Sequence, residues 1–364
     1  MTPRLRPRAP FTQSPTLNRR PSSRGASPRS RSAARQNATN RRYHGSVAVS
    51  DWIEGARPKT LPAALAPVMA GTAMALHAGE ASPVRAGLAA VLALALQVGV
   101  NFANDYSDGV RGADAVRSGP PRLTGGGKAS PSTVKSAAFA AFGVGSAAGL
   151  ALVALSGQWW LLLVGVAALA AAWFYTGGSR PYGYMGLGEA FVFVFFGLMA
   201  TTGTLYVQGG SVPGWAWLAA CGIGLIACSL LMVNNLRDIG TDPLHGKRTL
   251  AVRLGERGAR AAFCAMLAVP IPLGVIALWW ARSAHEAQGG VGASGGAATA
   301  VVGYLIYLVY PAYLLLLVPL AVRAVRPVLR GVAGRTLIPS LRDAGMYELV
   351  YGIATAVALV VVTL

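Results

Sequence analysis

From Leu61 to its last residue the chain is a succession of apolar runs, each about 20 residues long and parted by short polar or glycine-rich corners. Wound as a helix, a run of that length reaches across a hydrocarbon core of about 30 Å. The runs fall near residues 61–78, 84–106, 133–155, 158–176, 187–207, 214–235, 258–280, 300–322 and 343–364. In lipid every backbone N–H and C=O needs a partner within the protein, so runs of this kind are confined to helices. Composition agrees. Apolar residues make up 54% of the 364 and charged residues only 12%, about half the charged share of a soluble domain. The expectation is an all-α polytopic membrane bundle of about nine transmembrane helices, which excludes a soluble enzyme.

Charge is placed unevenly. Against 32 Lys and Arg stand 13 Asp and Glu, a formal net charge of +19. Residues 1–60 hold 13 of the basic residues and only two acids, Asp51 and Glu54. A basic tail on an apolar body is a poor nucleic-acid-binding surface, so no nucleic-acid partner is expected. Residues 1–46 contain no Asp or Glu and are rich in Arg, Ser, Pro and Ala. Such a segment buries too little apolar area to offset its ordering entropy and is read as a disordered basic tail, with residues 47–364 as the transmembrane domain. Three origins fit the tail: an organellar transit peptide, a cytoplasmic tail touching anionic lipid, or an extension from a misplaced start codon. The Ala, Gly, Val and Arg bias of the body favours a bacterial source over the transit peptide.

The remaining basic residues set an orientation. Corners after the even-numbered runs carry 17 Lys and Arg, among them Arg122, Lys128, Arg180, Lys247 and Arg248, whereas the opposite corners carry only Arg85 and Arg282. The positive-inside rule then puts the N-terminus and the basic corners in the cytoplasm of a multi-pass cell-membrane protein. Cys221, Cys228 and Cys264 lie in apolar stretches without metal-ligand spacing and are read as small core residues.

The scarce acids carry the chemistry. Five of the 13 sit in two cytoplasmic corners. The first reads NFANDYSDGVRGAD and holds Asn101, Asn104, Asp105, Asp108 and Asp114; the second reads NNLRDIGTDPLHGKRTL and holds Asn234, Asn235, Asp238 and Asp242. If the helices continue into these corners, Asn101, Asn104 or Asp105, and Asp108 share one face, and Asn234, Asp238 and Asp242 share another. Two stripes of hard oxygen atoms on one side of the membrane suit Mg²⁺, which is usually held by a few carboxylates together with substrate phosphates. Nearby cations complete the pattern: Arg122, Lys128, Lys247, Arg248, and Arg57 or Lys59 before the first run. An apolar body beside such a site implies an amphiphilic diphosphate, a prenyl diphosphate, whose ionised allylic carbon has to be sheltered from water. Aromatic faces stabilise such a cation, and Tyr175 at the end of the fourth run is the candidate.

These residues resemble the UbiA-type membrane prenyltransferase superfamily, whose pattern is NDxxDxxxD near the second helix and DxxxD near the sixth. Asn104, Asp105 and Asp108 fit the first pattern, but its last acid position is Gly112, with Asp114 two residues later. Asp238 and Asp242 fit the second. The finer similarity, in ARPKTLPAALAPVMAGTA (56–73), in residues 174–208 and in residues 234–255, is to the branch that uses 1,4-dihydroxy-2-naphthoate in menaquinone synthesis. The resemblance implies a nine-helix bundle around a central cavity capped by the two Asp loops. It further implies that Mg²⁺ is held by Asp105, Asp108, Asp238 and Asp242, with Asn104 in the same shell. Lys59, Arg122, Lys128, Lys247 and Arg248 would then contact diphosphate or the naphthoate carboxylate. The prenyl group takes the place of the ring carboxylate, so CO₂ leaves with diphosphate and demethylmenaquinol forms.

Other acceptors, such as 4-hydroxybenzoate or homogentisate, are the alternative within this chemistry. A cation-coupled transporter is the alternative outside it. Transporters place ionisable groups at mid-membrane, whereas the runs as drawn hold none near a midpoint and the acids gather at one rim. His77 and His285 are read as interfacial or solvated, His245 as a lesser candidate for substrate contact, and Glu189 as an acid placed favourably at a helix N-terminus.

Overall fold

Serine followed by proline announces several helices: Ser82-Pro83 and Ser130-Pro131 each put a capping hydroxyl before a residue that needs no N–H donor. In a computed structural model, which describes residues 47–112, 122–287 and 297–363, the Ser82 and Ser130 hydroxyls accept from the N–H of Arg85 and Thr133. Among the described residues there are helices and no strands. A short helix α1 (Val49–Ala56) precedes α2 (Leu61–His77), α3 (Pro83–Val110), α4 (Pro131–Ser156) and α5 (Leu161–Phe174). Then follow α6 (Gly188–Gly209), α7 (Gly214–Arg237), α8 (Leu250–Ala268), α9 (Pro270–Ala287), α10 (Ala297–Leu329) and α11 (Ile338–Thr363). The tail and Asp114 lie outside the described residues.

Among the described residues eight helical segments are long and apolar enough to cross a membrane. The fourth expected span is shorter. Its helix α5 has 14 residues, about 21 Å at 1.5 Å per residue, because Gln158–Trp160 form 3₁₀-type turns that lead into it. The seventh expected span is α8 and α9 in series, 38 residues with their junction. Gly255, at φ 70° and ψ 170°, breaks α8 near its start.

The most buried span is α7. It packs against α6, α8, α9 and α11, while α3 pairs with α4 and α2 with α11. Close approach at α6 demands glycine: a Cβ on Gly197 would stand 2.3 Å from the Cα of Gly224 on α7. At that crossing residues 193–199 widen into a π-helix. On the side opposite the acidic corners, Arg85 ties three helices by donating to the carbonyls of Val207, Gln208 and Leu155. These carbonyls end α6 and α4, where a cation is favoured.

One expectation is overturned here. Helix α11 starts at Ile338, five residues before the apolar run at 343, because Pro339 and Ser340 already belong to it. Glu348 therefore lies about 15 Å along the helix, near its middle, fully buried. The acids do not all gather at one rim.

Candidate active site

Both acidic corners open into one polar cleft. Helix α3 brings Asn104 and Asp108, the last turn of α7 brings Asn234 and Asn235, and the corner after it brings Asp238 and Asp242. Arg57 and Arg122 add positive charge from two other segments, and Lys247 adds it from the corner after α7 itself. The cleft encloses about 150 Å³, room for on the order of ten waters and so for a charged head group rather than a long hydrocarbon.

Asp108 is the hub. Helix α3 continues to Val110, as the first acidic stripe requires, and leaves Asp108 3% exposed. Its Oδ1 accepts from the Tyr184 hydroxyl at 2.7 Å. Its Oδ2 lies 3.3 Å from Lys247 Nζ and 3.7 Å from the Arg122 guanidinium. Lys247 also sits 4.7 Å above the Tyr184 ring, a cation–π distance. Burial first, then the Asp108 carboxylate, pushes the Tyr184 phenol well above its usual pKa.

The second stripe is less regular than a continuous helix. Helix α7 stops at Arg237, and Asp238 caps it. Gly240 intervenes, and Pro243 disfavours helix at the residue before it, Asp242. Even so, the Asp242 N–H donates to the Asp238 carbonyl at 2.9 Å, which keeps the two acids about one turn apart. Arg237 grips Asp238 in a bidentate pair, at 2.9 and 2.6 Å. His245 lines the same cleft, its Nδ1 3.1 Å from the Thr241 carbonyl.

Three members of the first stripe have other occupations. Asn101 donates to the Ala56 carbonyl and the Thr60 hydroxyl, at 2.9 and 3.1 Å. Thr60 in turn donates to the Arg57 carbonyl. These bonds hold Arg57 in a left-handed conformation, φ 55°, a strained state for a side-chain-bearing residue that is typical of functional sites. Asn104 accepts from the Thr176 hydroxyl at 2.7 Å. Asp105, 1% exposed, accepts the backbone N–H of Leu123 at 2.9 Å and of Thr124 at 2.8 Å. Both of its oxygens hold the loop that carries Arg122, and it does not line the cleft. This arrangement contradicts the expectation of Asp105 as a metal ligand: a carboxylate turned toward two loop amides is turned away from the cleft.

The cations divide likewise. Arg122 and Lys247 line the cleft as expected, and Tyr175 forms part of its wall. Lys128 instead pairs with Asp51 and Glu54 of α1, at 2.7 and 3.4 Å. Lys59 is exposed on the 3₁₀ turn Pro58–Thr60. Arg248 is exposed, and its backbone N–H donates to the Tyr184 carbonyl. These three side chains are not in the cleft. Sequence reasoning missed Tyr184 and Thr176. Their signal was the glycine-punctuated TGGSRPYGYMG, which returns to the cleft because Gly183 donates its N–H to the Tyr175 carbonyl at 3.0 Å.

Among the described residues no three His, Cys, Asp or Glu side chains converge to hold a metal ion by themselves. The cleft instead offers Asp108 on one wall and Asp238 and Asp242 on the other, with amide oxygens beside them. That donor set fits Mg²⁺, a hard cation that one or two carboxylates share with substrate phosphates.

Comparison with known proteins agrees with this geometry. The 1,4-dihydroxy-2-naphthoate octaprenyltransferase of Mycobacterium tuberculosis is 45% identical over 321 residues, covering 85% of this chain and 97% of that protein. The protein of the same name in Escherichia coli is 42% identical over 222 residues, 59% of this chain and 72% of its own length. The solved structure of a UbiA homolog from Aeropyrum pernix shares the fold, with a TM-score of 0.53 at 20% identity, covering 85% of this chain and 99% of that one. So does a UbiA homolog from Archaeoglobus fulgidus bound to GPP and Mg²⁺, with a TM-score of 0.52 at 15% identity, covering 84% and 99%. The UbiA prenyltransferase family matches residues 64–328, and with two acidic corners facing one cleft inside a helical membrane bundle, the chain belongs to that family.

Proposed function

We propose that the chain transfers a polyprenyl group from a prenyl diphosphate to 1,4-dihydroxy-2-naphthoate, releasing diphosphate and CO₂ and giving demethylmenaquinol. The observation that carries this reading is the shared cleft: Asp108 of one motif and Asp238 and Asp242 of the other face it together with Arg57, Arg122 and Lys247. The relatives named for the same transfer support the acceptor. The archaeal structure bound to GPP and Mg²⁺ supports the donor and the metal.

In this reading Asp108, Asp238 and Asp242 hold Mg²⁺, with Asn234 and Asn235 within the same cleft. When bound, the ion neutralises phosphate charge and stabilises the departing diphosphate. Arg57, Arg122 and Lys247 hold the phosphate oxygens by charge-assisted hydrogen bonds. Binding of the diphosphate gives Arg122 and Lys247 a second anion to share with Asp108. Tyr175 presents a half-buried aromatic wall to the reacting carbon. The apolar helices around the cleft exclude water that would quench an allylic cation. The basic corners support placing the cleft on the cytoplasmic face of the cell membrane.

The test supplies purified, detergent-solubilised protein with a prenyl diphosphate, Mg²⁺ and one acceptor at a time. Pyrophosphate release, product mass and CO₂ are measured. The expected result is prenylated, decarboxylated product from 1,4-dihydroxy-2-naphthoate, abolished by EDTA and restored by Mg²⁺. Product from 4-hydroxybenzoate or homogentisate alone would overturn the acceptor assignment, and activity unaffected by EDTA would overturn the metal.

A further inference from the structure

Glu189 is the second residue of α6 and adjoins the cleft through Asn235. It is 5% exposed. Its Oε1 accepts from Asn235 Nδ2 at 3.0 Å, and Asn235 lines the cleft. Its backbone carbonyl accepts from Cys228 Sγ at 3.0 Å, so the segment is fastened to α7 at two levels. The other carboxyl oxygen, Oε2, is buried and has no hydrogen-bond partner among the described residues. Leaving such an atom unpaired destabilises a fold, and in native proteins it marks a strained, catalytic or ligand-binding position.

The surroundings narrow the ligand. Gly188, next to Glu189, lies against the ring of Tyr175: a Cβ there would be 3.3 Å from Tyr175 Cε2. Tyr175 lines the cleft and meets the Tyr182 ring edge-on at 5.5 Å, and Tyr182 stacks on Phe191 at 4.0 Å. The Tyr175 ring, braced by Tyr182 and Phe191, therefore adjoins the segment that carries a carboxyl oxygen in need of a donor. A phosphate offers no such donor at neutral pH and is repelled by a carboxylate. An aromatic ring bearing a hydroxyl satisfies both features.

We propose that Glu189 Oε2 accepts a hydrogen bond from a phenolic hydroxyl of the aromatic acceptor, with Asn235 fixing the carboxyl in place. The assignment rests on the function proposed above and supplies the acceptor contact that the acidic motifs do not. The hydroxyl keeps its proton. Its hydrogen bond to the carboxyl releases electron density into the ring, which favours attack of a ring carbon on the allylic cation. The same carboxyl keeps diphosphate on the Arg122 and Lys247 side of the cleft.

The experiment uses the full chain with 1,4-dihydroxy-2-naphthoate, a prenyl diphosphate and Mg²⁺, comparing wild type, Glu189→Gln and Glu189→Asp. In Glu189→Gln the acceptor KM rises by about tenfold or more, while the prenyl diphosphate KM stays within about twofold. Glu189→Asp, which retains a carboxyl on a shorter stem, falls between. An O-methyl ether of the acceptor serves as competitive inhibitor: wild type discriminates against it by about tenfold, and Glu189→Gln no longer does. An unchanged acceptor KM, a shift in the prenyl diphosphate KM instead, intact discrimination against the ether, or unfolding of Glu189→Gln would each overturn the proposal. The two readings fail differently. Wild type inactive on every hydroxyaromatic acid defeats the proposed function and this inference with it, whereas active wild type with an indifferent Glu189→Gln defeats this inference alone.

Discussion

Lys247 Nζ lies 3.3 Å from Asp108 Oδ2, so the corner after α7 supplies a cation to the carboxylate of α3 across the cleft. The two residues are 139 positions apart in sequence, and their meeting is what makes two acidic corners one site. Replacing Lys247 by Met removes a proposed phosphate contact and also leaves Asp108 less compensated. We expect the prenyl diphosphate KM to rise by about tenfold or more. Asp108→Asn lowers turnover by about a hundredfold or more, since it removes the charge proposed to bind Mg²⁺ and the carboxylate that orders Tyr184, Arg122 and Lys247 together. Because the two side chains touch, the double variant departs from additivity by about 0.5–3 kcal/mol. A cycle measured in kcat/KM checks this, and strict additivity would mean that the pair does not interact during turnover.

Asp105 calls for a different outcome from Asp108 although the two are three residues apart. Its two oxygens hold the Leu123 and Thr124 amides, and through them Arg122. Asp105→Ala leaves two buried N–H groups without acceptors, about 1–3 kcal/mol each, and releases the loop. Asp105→Asn keeps one acceptor oxygen and is milder. In both, the prenyl diphosphate KM rises, while the Mg²⁺ concentration giving half activity stays near wild type. Asp238→Asn shifts that concentration upward. Equal Mg²⁺ shifts in Asp105→Asn and Asp238→Asn would return Asp105 to the metal.

Apolar run length located the spans because it reports on the solvent, and lipid imposes one length on every crossing. Among the described residues eight helical segments long enough to cross follow the runs, and the fourth run holds the shorter α5, cut back by the turns at its entrance. Run length does not report where a helix begins beyond the apolar stretch. A run that begins at 343 leaves Glu348 within its first two turns, whereas α11 begins earlier and buries it near mid-helix. Spacing alone put Asn101, Asn104, Asp105 and Asp108 on neighbouring positions of one helix, and the helix is there. Which way each polar group points depends on loops that pair with it from far along the chain. Asp105 turns to residues 123 and 124, Asn101 to Ala56 and Thr60, and Lys128 to Asp51. Tyr184 escaped notice for the same reason: its importance comes from Asp108 and Lys247, neither adjacent in sequence.

Tyr184 gives a pH prediction with a definite sign. Its phenol pKa is raised by burial and by Asp108, so the folded state favours the neutral, hydrogen-bond-donating form. That contribution is fully present below the unfolded phenol value of about 10 and is lost only as pH rises through the higher folded value. Wild type should therefore exceed Tyr184→Phe in melting temperature by a constant margin between about pH 6 and 9, with the margin shrinking above about pH 10. Activity of Tyr184→Phe drops several-fold at every pH in that range without a change in the shape of the profile. A margin that shrinks below pH 9 would show the phenol ionising within the working range and contradict its burial against Asp108.

Gly183 is held at a distance that admits no side chain, which makes it a test of the cleft wall rather than of its charges. A Cβ at this position would stand 2.7 Å from the Tyr175 carbonyl oxygen and 2.8 Å from Tyr175 Cε2. Neither atom can retreat cheaply, because that carbonyl accepts the Gly183 N–H and the ring adjoins Gly188. Gly183→Ala therefore pushes Tyr175 out of the wall and drags the neighbouring Tyr184 from Asp108, at a stability cost of about 1–3 kcal/mol. The expected readout is a lowered melting temperature with kcat falling more than either KM, since the shelter of the reacting carbon fails before the charged groups do. Gly203, where a Cβ meets open space, is the matched control. Gly203→Ala should retain wild-type kcat, and parallel losses in both variants would mean that alanine disturbs these helices generally rather than the Tyr175 wall.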